Sequence, residues 1–228
     1  MELLGVPLTD DLREDILAEV RKYLKEPTFH RIATINPEFL VLGEKDQSFK
    51  DSLLAADLSI ADGFGIVLAG WLRGKKITRI PGADLLDYIL NLADESHYKI
   101  ALVIKESGLS SYEEIKSVLV KKYPNIQFVS ETTQAAVVIC NFGAPEQEIF
   151  LESLRSNPGN IRLAVGVGGS FDYLTGKLKR APKIMRFFGL EWLWRLILQP
   201  KRWKRIWTAV IIFPFLMFFP WQKSKKRL

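Results

Sequence analysis

The chain alternates short apolar runs with longer segments of helical periodicity, and this alternation constrains its fold more than any other feature. The runs are four to seven residues long and rich in Ile, Val, Leu or Ala. Runs that are apolar throughout are typical of strands buried on both faces of a parallel sheet, and helices usually connect such strands. We therefore predict an α/β fold in which helices cover both faces of a mostly parallel sheet.

The predicted strands are Arg31–Ile35, Leu58–Ala61, Lys99–Ile104, Ile126–Val129, Ala136–Asn141 and Ile161–Val167. The predicted helices are Asp10–Leu24, Gln47–Ala55, Phe64–Leu72, Ala83–Ala93, Ser110–Tyr123, Pro145–Arg155 and Pro182–Leu198. Two of these helices begin with a proline, which suits the first helical turn. Ligands of such sheets usually bind beyond the carboxyl ends of the strands, so the residues that follow each strand are the candidates for function.

The single cysteine and the N-terminus indicate a reducing, cytoplasmic location. Cys140 lies in an apolar run and has no partner for an internal disulfide, so we expect it to pack as a small hydrophobic residue. The first residues lack a basic region, and no apolar stretch of signal-peptide length precedes the acidic residues that start at Asp10. We expect no signal peptide.

The net charge of +6 is distributed unevenly along the chain. Residues 1–178 contain 19 Lys or Arg against 25 Asp or Glu, whereas residues 179–228 contain 13 Lys or Arg and a single acid, Glu191. The body is therefore negative and the tail strongly positive. A tail of this charge suits either nucleic acid or the anionic surface of a membrane.

The apolar content of the tail favours the membrane over nucleic acid. Residues 206–222 carry no charge, and the stretch from Trp207 to Trp221 would span about 22 Å as a helix, which is less than a spanning helix needs. Pro214 and Pro220 also interrupt it. An interfacial segment fits best, with a spanning helix and a buried helix as alternatives. The predicted membrane contacts are Trp207, Phe213, Phe215, Phe218, Phe219 and Trp221.

Polar residues follow the first two predicted strands. Thr34 and Asn36 end the first strand beside a proline, where they either hydrogen-bond a sugar or form a polar turn. Asp62 follows the second strand, and Gly63 next to it permits close approach of a ligand. This carboxylate is either a general base or the cap of the following helix.

Three further segments could bind a phosphorylated ligand. Arg79 precedes a Pro-Gly turn and a helix start, which suits an anion, although a surface arginine paired with Asp84 is equally consistent. Residues 141–148 and 166–172 also follow strands, and the second of these loops has closely spaced glycines. Each segment alone is a weak motif.

Several familiar signatures are absent from the sequence. The chain has two histidines, one cysteine and no Asp-x-Asp, which makes a metal site improbable. It also has no phosphate-binding Gly-x-x-x-x-Gly-Lys-Ser/Thr and no Gly-x-Gly-x-x-Gly at its first strand-helix unit. Kinases and nicotinamide enzymes are therefore disfavoured.

Taken together and in order, eight segments resemble the WecG/TagA/CpsF family of bacterial glycosyltransferases, glycosyltransferase family 26. The resemblance covers about Gly5 to Arg205. The resembling segments are Thr34-Ile35-Asn36-Pro37-Glu38, Ala61-Asp62-Gly63-x-Gly65, Arg79-Ile80-Pro81-Gly82-Ala83-Asp84-Leu85, Tyr123-Pro124, Gly143-Ala144-Pro145-Glu146-Gln147-Glu148, Gly166-Val167-Gly168-Gly169-Ser170-Phe171-Asp172, Arg180-Ala181-Pro182 and Glu191-Trp192-Leu193-Trp194-Arg195.

The resemblance implies an inverting, metal-independent and cofactor-free transfer of a sugar such as N-acetylmannosamine. The donor would be a UDP-sugar, and the acceptor a sugar on undecaprenyl diphosphate in cell-wall or surface polysaccharide synthesis. Asp62 would deprotonate the acceptor hydroxyl, and Arg79 would offset negative charge. The substrate-binding residues that the resemblance implies are Thr34, Asn36, Gly63, Gln147, Gly166, Gly168 and Gly169.

The resemblance also places three arginines of the tail, Arg195, Arg202 and Arg205, near the diphosphate of the donor. On one continuous helix they would lie within about 40–60° of a single stripe. A basic stripe that touches lipid headgroups is the alternative. The two roles can coexist if docking on a membrane orders the tail and closes the site.

One departure from the family leaves alternatives open. Family members usually have a glycine-rich turn after the third strand, where this chain has Lys105–Gly108, so donor binding at that edge is in doubt. Three alternatives remain. The protein is a family member that acts on another sugar, or a non-catalytic, membrane-docked subunit that binds a nucleotide sugar and assists a partner transferase, or a nicotinamide oxidoreductase.

The predicted organisation is a Rossmann-like glycosyltransferase domain at residues 1–190 followed by a basic and apolar appendage at residues 191–228. We expect the protein to be peripheral on the inner face of the cell membrane. No nucleic-acid partner is expected, and the sequence says nothing of the oligomeric state.

Overall fold

A computed structural model, which describes residues 1–219, contains a six-stranded parallel sheet with strand order β4-β3-β8-β7-β5-β6. All six predicted strands are confirmed, with ends that move by at most two residues. The sequence did not predict the two-stranded antiparallel ribbon of β1 and β2 at the N-terminus. The strands are β1 Glu2–Leu3, β2 Val6–Pro7, β3 His30–Ile35, β4 Leu58–Ala61, β5 Lys99–Val103, β6 Gln127–Val129, β7 Val137–Cys140 and β8 Leu163–Gly166.

Helices cover both faces of the large sheet, which confirms the predicted α/β class. Helices α1, α5 and α6 pack on one face, where alternate strand residues such as Ile32 and Ile60 point. The opposite face carries α2, α3, α4 and α7. The helices up to residue 174 are α1 Arg13–Lys25, α2 Pro37–Gly43, α3 Gln47–Leu54, α4 Phe64–Leu72, α5 Gly82–Glu95, α6 Tyr112–Lys122, α7 Glu146–Ser153 and α8 Phe171–Leu174.

The prediction of one helix over Pro182–Leu198 is wrong, because two helices lie there, α9 Lys183–Phe187 and α10 Glu191–Leu198. Gly189 separates them with a φ of +71°, a conformation that favours glycine. A side chain at this position would also collide with Phe64 of α4. The chain therefore turns at Gly189, where it passes close to α4.

The C-terminal segment is helical after a 3₁₀ turn at Pro200–Arg202. Helix α11 (Trp203–Trp207) continues through a π-helical stretch, Thr208–Ile212, into α12 (Phe213–Phe218). The wide π turn ends two residues before Pro214, which lacks the N–H that a regular α-helix would use. This segment packs against α2, so it is part of the folded body.

One of the predicted membrane contacts is corrected by this packing. Phe213 is only 2% exposed and belongs to the core cluster around α2, α3 and α4, so lipid cannot reach it in this conformation. Trp207, Phe215, Phe218 and Phe219 are exposed. Trp221 lies outside the described residues. No helix within residues 1–219 is both long and apolar enough to cross a membrane.

A buried ion pair joins the sheet to the helices of its second face. The Arg31 side chain of β3 is fully buried, and its Nη1 donates to Glu148 Oε2 of α7 at 2.7 Å. Its Nε donates to Glu152 at 2.8 Å, and its Nη2 donates to the Ser52 carbonyl oxygen of α3. Each nitrogen of the guanidinium therefore donates to an acceptor, which helps to keep this charge inside the protein.

Glu148→Gln is expected to lower the free energy of unfolding by about 3 kcal/mol, because it leaves the buried Arg31 charge without its fully buried partner while keeping the size of the side chain. Urea denaturation followed by circular dichroism measures the change. The matched control is Glu146→Gln, an exposed acid of the same helix, for which we expect a change below about 0.5 kcal/mol. Equal losses for the two variants would contradict the assignment.

Candidate active site

A cavity of about 760 Å³ opens at the carboxyl ends of four adjacent strands, β4, β3, β8 and β7. This is the edge at which the sequence predicted the site. Of the twelve residues predicted for catalysis or substrate binding, eleven line the cavity. They are Thr34, Asn36, Asp62, Gly63, Arg79, Gln147, Gly168, Gly169, Arg195, Arg202 and Arg205.

Asp62 lies directly after β4 and points at the start of α5. Its Oδ1 accepts a hydrogen bond from the backbone N–H of Gly82, the first residue of that helix, at 2.9 Å. Burial raises the pKa of the carboxyl above its ordinary value of 3.8, and the Gly82 hydrogen bond and the charges of Arg79 and Arg195 oppose this rise. The result is a carboxylate that accepts a proton more readily than an exposed aspartate does.

Asp62 also caps a helix, but not the helix that the sequence suggested. The alternative prediction was a cap on the helix that starts near Phe64, whereas the carboxylate reaches the N-terminus of α5. Its second oxygen, Oδ2, accepts no hydrogen bond from any residue between positions 1 and 219. One oxygen therefore orients the group and the other is available to a ligand.

Arg79 holds the backbone on which Asp62 is placed. Its Nε donates to the Asp62 carbonyl oxygen at 2.8 Å, and its Nη2 donates to Glu191 at 3.1 Å. The prediction of a surface pair with Asp84 is wrong, because Asp84 pairs with Arg180 at 2.7 Å. The positive charge of Arg79 is thus shared with Glu191, at the start of α10, and ties the C-terminal segment to the site.

The segment that follows β4 packs tightly against the segment that follows β3. A Cβ on Gly63 would lie 2.6 Å from Pro37 Cδ, and one on Gly65 would lie 2.8 Å from Pro37 Cγ, so only glycine fits at these positions. Asn36 Oδ1 accepts from the Phe39 N–H at 3.1 Å and thereby caps α2. The sequence left sugar binding and a polar turn as alternatives for this stretch and did not predict the helix start, although Asn followed by Pro is a signal for one.

Gln147 connects the two loops that follow β7 and β8. It is buried, and its Oε1 accepts from the Gly168 N–H at 3.0 Å and from the Gly143 N–H at 3.4 Å. Its Nε2 donates to Glu148 at 2.9 Å, which links the cavity to the buried Arg31. The prediction for Gly166 needs correction, because the side chain of Gln147 covers this glycine and keeps it out of the cavity lining.

Arg195, Arg202 and Arg205 line the same cavity, although the continuous helix that was expected to align them is broken by the turn at Pro200–Arg202. Arg205 pairs with Glu38 at 2.6 Å. Arg195 donates to the Tyr173 hydroxyl and to the Gly169 carbonyl oxygen, and Arg202 donates to Gln199.

Within the described part of the chain neither Arg195 nor Arg202 has a carboxylate partner. Burial and the neighbouring cations Arg205 and Arg195 lower the pKa of Arg202 to about 10. Arg202 therefore keeps its charge at neutral pH at an energetic cost. A bound anion would remove that cost, so the arrangement is suited to a phosphate group.

Three residues that hold these groups were not predicted from the sequence as site residues. Glu38 binds Arg205, Tyr173 binds Arg195, and Glu191 binds Arg79. These partners are 22 to 167 residues apart in the chain, so no local spacing could have identified them. Residues 105–108 contribute nothing to the lining of the cavity. In the part of the chain that the structure describes, no three His, Cys, Asp or Glu side chains are grouped as metal ligands.

Comparison with known proteins finds one family. A family model described as "Glycosyl transferase WecG/TagA/CpsF family" matches residues 1–227. The match covers nearly the whole chain, including every residue of the cavity lining.

Three similar proteins share one name, N-acetylglucosaminyldiphosphoundecaprenol N-acetyl-beta-D-mannosaminyltransferase. The protein of that name from Bacillus subtilis (strain 168) is 32% identical over 206 residues, which is 82% of this chain and 78% of the relative. Its counterpart from Bacillus spizizenii is 30% identical over 203 residues, 81% of this chain and 77% of the relative. A third, from Staphylococcus aureus (strain MRSA252), is 27% identical over 245 aligned positions, 99% of this chain and 95% of the relative.

Proposed function

The chain belongs to the WecG/TagA/CpsF family of glycosyl transferases, and from that premise we propose that it transfers N-acetylmannosamine from a UDP donor to N-acetylglucosamine on undecaprenyl diphosphate. The relatives' name supplies the transferred sugar and the lipid-linked acceptor. The UDP group of the donor follows from the family resemblance of the sequence. The product would be an intermediate of cell-wall or surface polysaccharide.

A single observation carries the proposal: a partly buried carboxylate and two arginines without carboxylate partners among residues 1–219 face the same cavity. A transferase that uses a sugar diphosphate needs a base for the acceptor and fixed positive charge for the leaving group. Asp62 supplies the first, and Arg195 and Arg202 supply the second. Among the described residues neither arginine forms a hydrogen bond with Asp62, so both kinds of group are available to the substrates.

The reaction is a single displacement at the anomeric carbon of the donor sugar. The acceptor hydroxyl oxygen forms the new bond to that carbon, and its proton passes to the Asp62 carboxylate. The bond from the anomeric carbon to the diphosphate oxygen breaks, and UDP leaves with the electron pair. Arg195 and Arg202 stabilise the negative charge that grows on the diphosphate, so no step requires a metal ion. Attack from the side opposite to UDP inverts the anomeric centre.

The loops around Asp62 orient the substrates. The Oδ1 of Asn36 caps α2, and its side-chain N–H groups can therefore donate to a sugar hydroxyl. Thr34 donates weakly to the Gly166 carbonyl oxygen, at 3.3 Å, and its oxygen lone pairs are available to the donor sugar. Gln147 fixes the loop that carries Gly168 and Gly169, whose backbone approaches the diphosphate.

Residues 191–228 would act as an appendage that places the protein on the inner face of the membrane, where the acceptor resides. Exposed Trp207, Phe215, Phe218 and Phe219 lie in a segment with many cations, the combination that favours an anionic membrane surface. Two ion pairs, Arg79 with Glu191 and Glu38 with Arg205, join the active site to this appendage. Membrane docking and closure of the site would therefore be coupled.

A non-catalytic subunit is not favoured as an alternative. That reading depended on the altered turn at residues 105–108, which lies outside the cavity lining. The groups that the chemistry needs, Asp62, Arg195 and Arg202, are all present at the cavity.

Asp62→Asn is expected to reduce the transfer rate at least 100-fold, because the amide cannot accept the proton of the acceptor hydroxyl. The assay follows radiolabelled sugar from a panel of UDP-sugars onto N-acetylglucosaminyl diphosphoundecaprenol in liposomes, with chelator present. The control is Asp87→Asn, an acid of α5 that binds Lys122 and Tyr123 away from the cavity. Equal rates for Asp62→Asn and the unaltered protein would contradict the base assignment, and turnover that chelator abolishes would contradict metal independence.

Arg202→Gln is expected to reduce kcat about 100-fold, because a fixed cation that meets the departing diphosphate is lost. The same variant should bind UDP more weakly, which product inhibition measures. Arg155→Gln is the matched control, since Arg155 is an arginine engaged with Asp57 and Glu152 outside the cavity. An Arg202→Gln variant with the kcat and UDP affinity of the control would contradict the role of this residue.

A further inference from the structure

The cavity has a polar half and an apolar half, and the reaction proposed above uses only the polar one. The polar half contains Asp62 and the arginines. The apolar half lies between α4 and the C-terminal helices, and its chief side chains are Phe64, Leu68, Leu72, Val210, Phe213 and Met217. Its Leu, Met, Val and Phe side chains suit an apolar group rather than sugar hydroxyls or a diphosphate.

The C-terminal wall of the apolar half changes from polar to apolar along the chain. On the C-terminal wall the cavity residues follow at intervals of three or four, from Arg202 through Ile206 and Ala209 to Phe213. This spacing places them on one side of a helical segment that covers about 16 Å. The wall therefore begins at the proposed diphosphate site and ends in large apolar side chains.

The opposite wall is α4, which begins two residues after Asp62. Its cavity residues Phe64, Leu68 and Leu72 are spaced by four, so they form one stripe that leads away from the carboxylate. A Cβ on Gly65 would lie 3.9 Å from Phe213 Cδ1, which shows that the two walls meet near the first turn of α4.

Large side chains of this apolar half remain open to solvent. Leu68 is 44% exposed, and Phe64 and Leu72 are exposed as well. A contiguous exposed apolar surface beside a polar site usually marks a ligand or membrane contact. Here the surface is continuous with the cavity, so its occupant is connected to whatever binds in the polar half.

We propose that this apolar cleft, between α4 and the segment from Ile206 to Met217, binds the isoprenoid units of the acceptor that are nearest to its diphosphate. The inference rests on the proposed function and extends it. The acceptor sugar must reach Asp62, and its apolar chain begins one diphosphate away from that sugar. The apolar cleft begins beside Asp62 on α4 and four residues after Arg202 on the C-terminal wall, so a chain that leaves the site enters it directly. The protein thus recognises the lipid itself in addition to the membrane in which the lipid is held.

The test compares two acceptors that dissolve in buffer without membrane or detergent: N-acetylglucosaminyl diphosphate bearing a methyl group, and the same compound bearing a farnesyl chain. For the unaltered protein we expect the KM of the farnesyl acceptor to be at least about tenfold lower than that of the methyl acceptor, which corresponds to about 1.4 kcal/mol. In Leu68→Gln the ratio of the two KM values should fall to nearly one. Leu72→Gln repeats the test at a second position, and urea denaturation establishes that both variants are folded.

The matched control is Trp71→Gln, because Trp71 lies on the same helix and is 73% exposed but does not line the cavity. This variant should keep the tenfold KM ratio of the unaltered protein. The inference is overturned if the unaltered protein shows equal KM values for the two acceptors, or if Trp71→Gln lowers the ratio as much as Leu68→Gln does. In both cases sugar transfer continues and the proposed function stands. A lack of transfer from any UDP-sugar both to these acceptors in buffer and to the lipid-linked acceptor in liposomes would overturn the proposed function and this inference with it.

Discussion

The site depends on keeping the Asp62 carboxylate partly buried and at the same time ionisable. A carboxylate that leaves water must find donors or positive charge, and here the N-terminus of α5 donates through Gly82 while Arg79 and Arg195 lie near it. Arg79 also holds the carbonyl oxygen of the same residue. With its backbone and one oxygen fixed, Asp62 can present its second oxygen to a substrate. The close contact of Gly63 and Gly65 with Pro37 completes the frame, because it sets the distance between the ends of β3 and β4.

Much of this arrangement could be predicted from sequence because parallel strands leave a strong local signal. The run Leu58–Ala61 and the helix Phe64–Leu72 have the same bounds in the structure as in the prediction, since burial on both faces and helical period are properties of short windows. The site followed from one topological rule, that ligands bind at the carboxyl ends of such strands. The sequence therefore predicted which residues line the cavity, whereas their roles in catalysis are proposals.

Other features of the structure depend on contacts between distant residues, which no window of sequence records. The break at Gly189 reflects the approach of Phe64, which lies 125 positions earlier in the chain. Phe213 was taken for a membrane contact because of its composition, yet it packs in the core around α2. Arg79 meets Glu191 across 112 residues, and Arg195 meets Tyr173 through a contact that sequence spacing does not suggest. In each case the tertiary packing of the C-terminal segment, rather than local propensity, decides the outcome.

In the proposed mechanism Asp62 is a base whose pKa is raised by burial, and the pH dependence of kcat/KM reports the ionisation of this base. Because the base must be ionised, activity should rise with pH through an inflection above the ordinary aspartate value of 3.8. Glu191→Gln should move that inflection to lower pH, because the negative charge of Glu191 contributes to the raised pKa of Asp62. A profile that stays flat down to the ordinary carboxylate range, or one whose inflection Glu191→Gln moves to higher pH, would contradict the account.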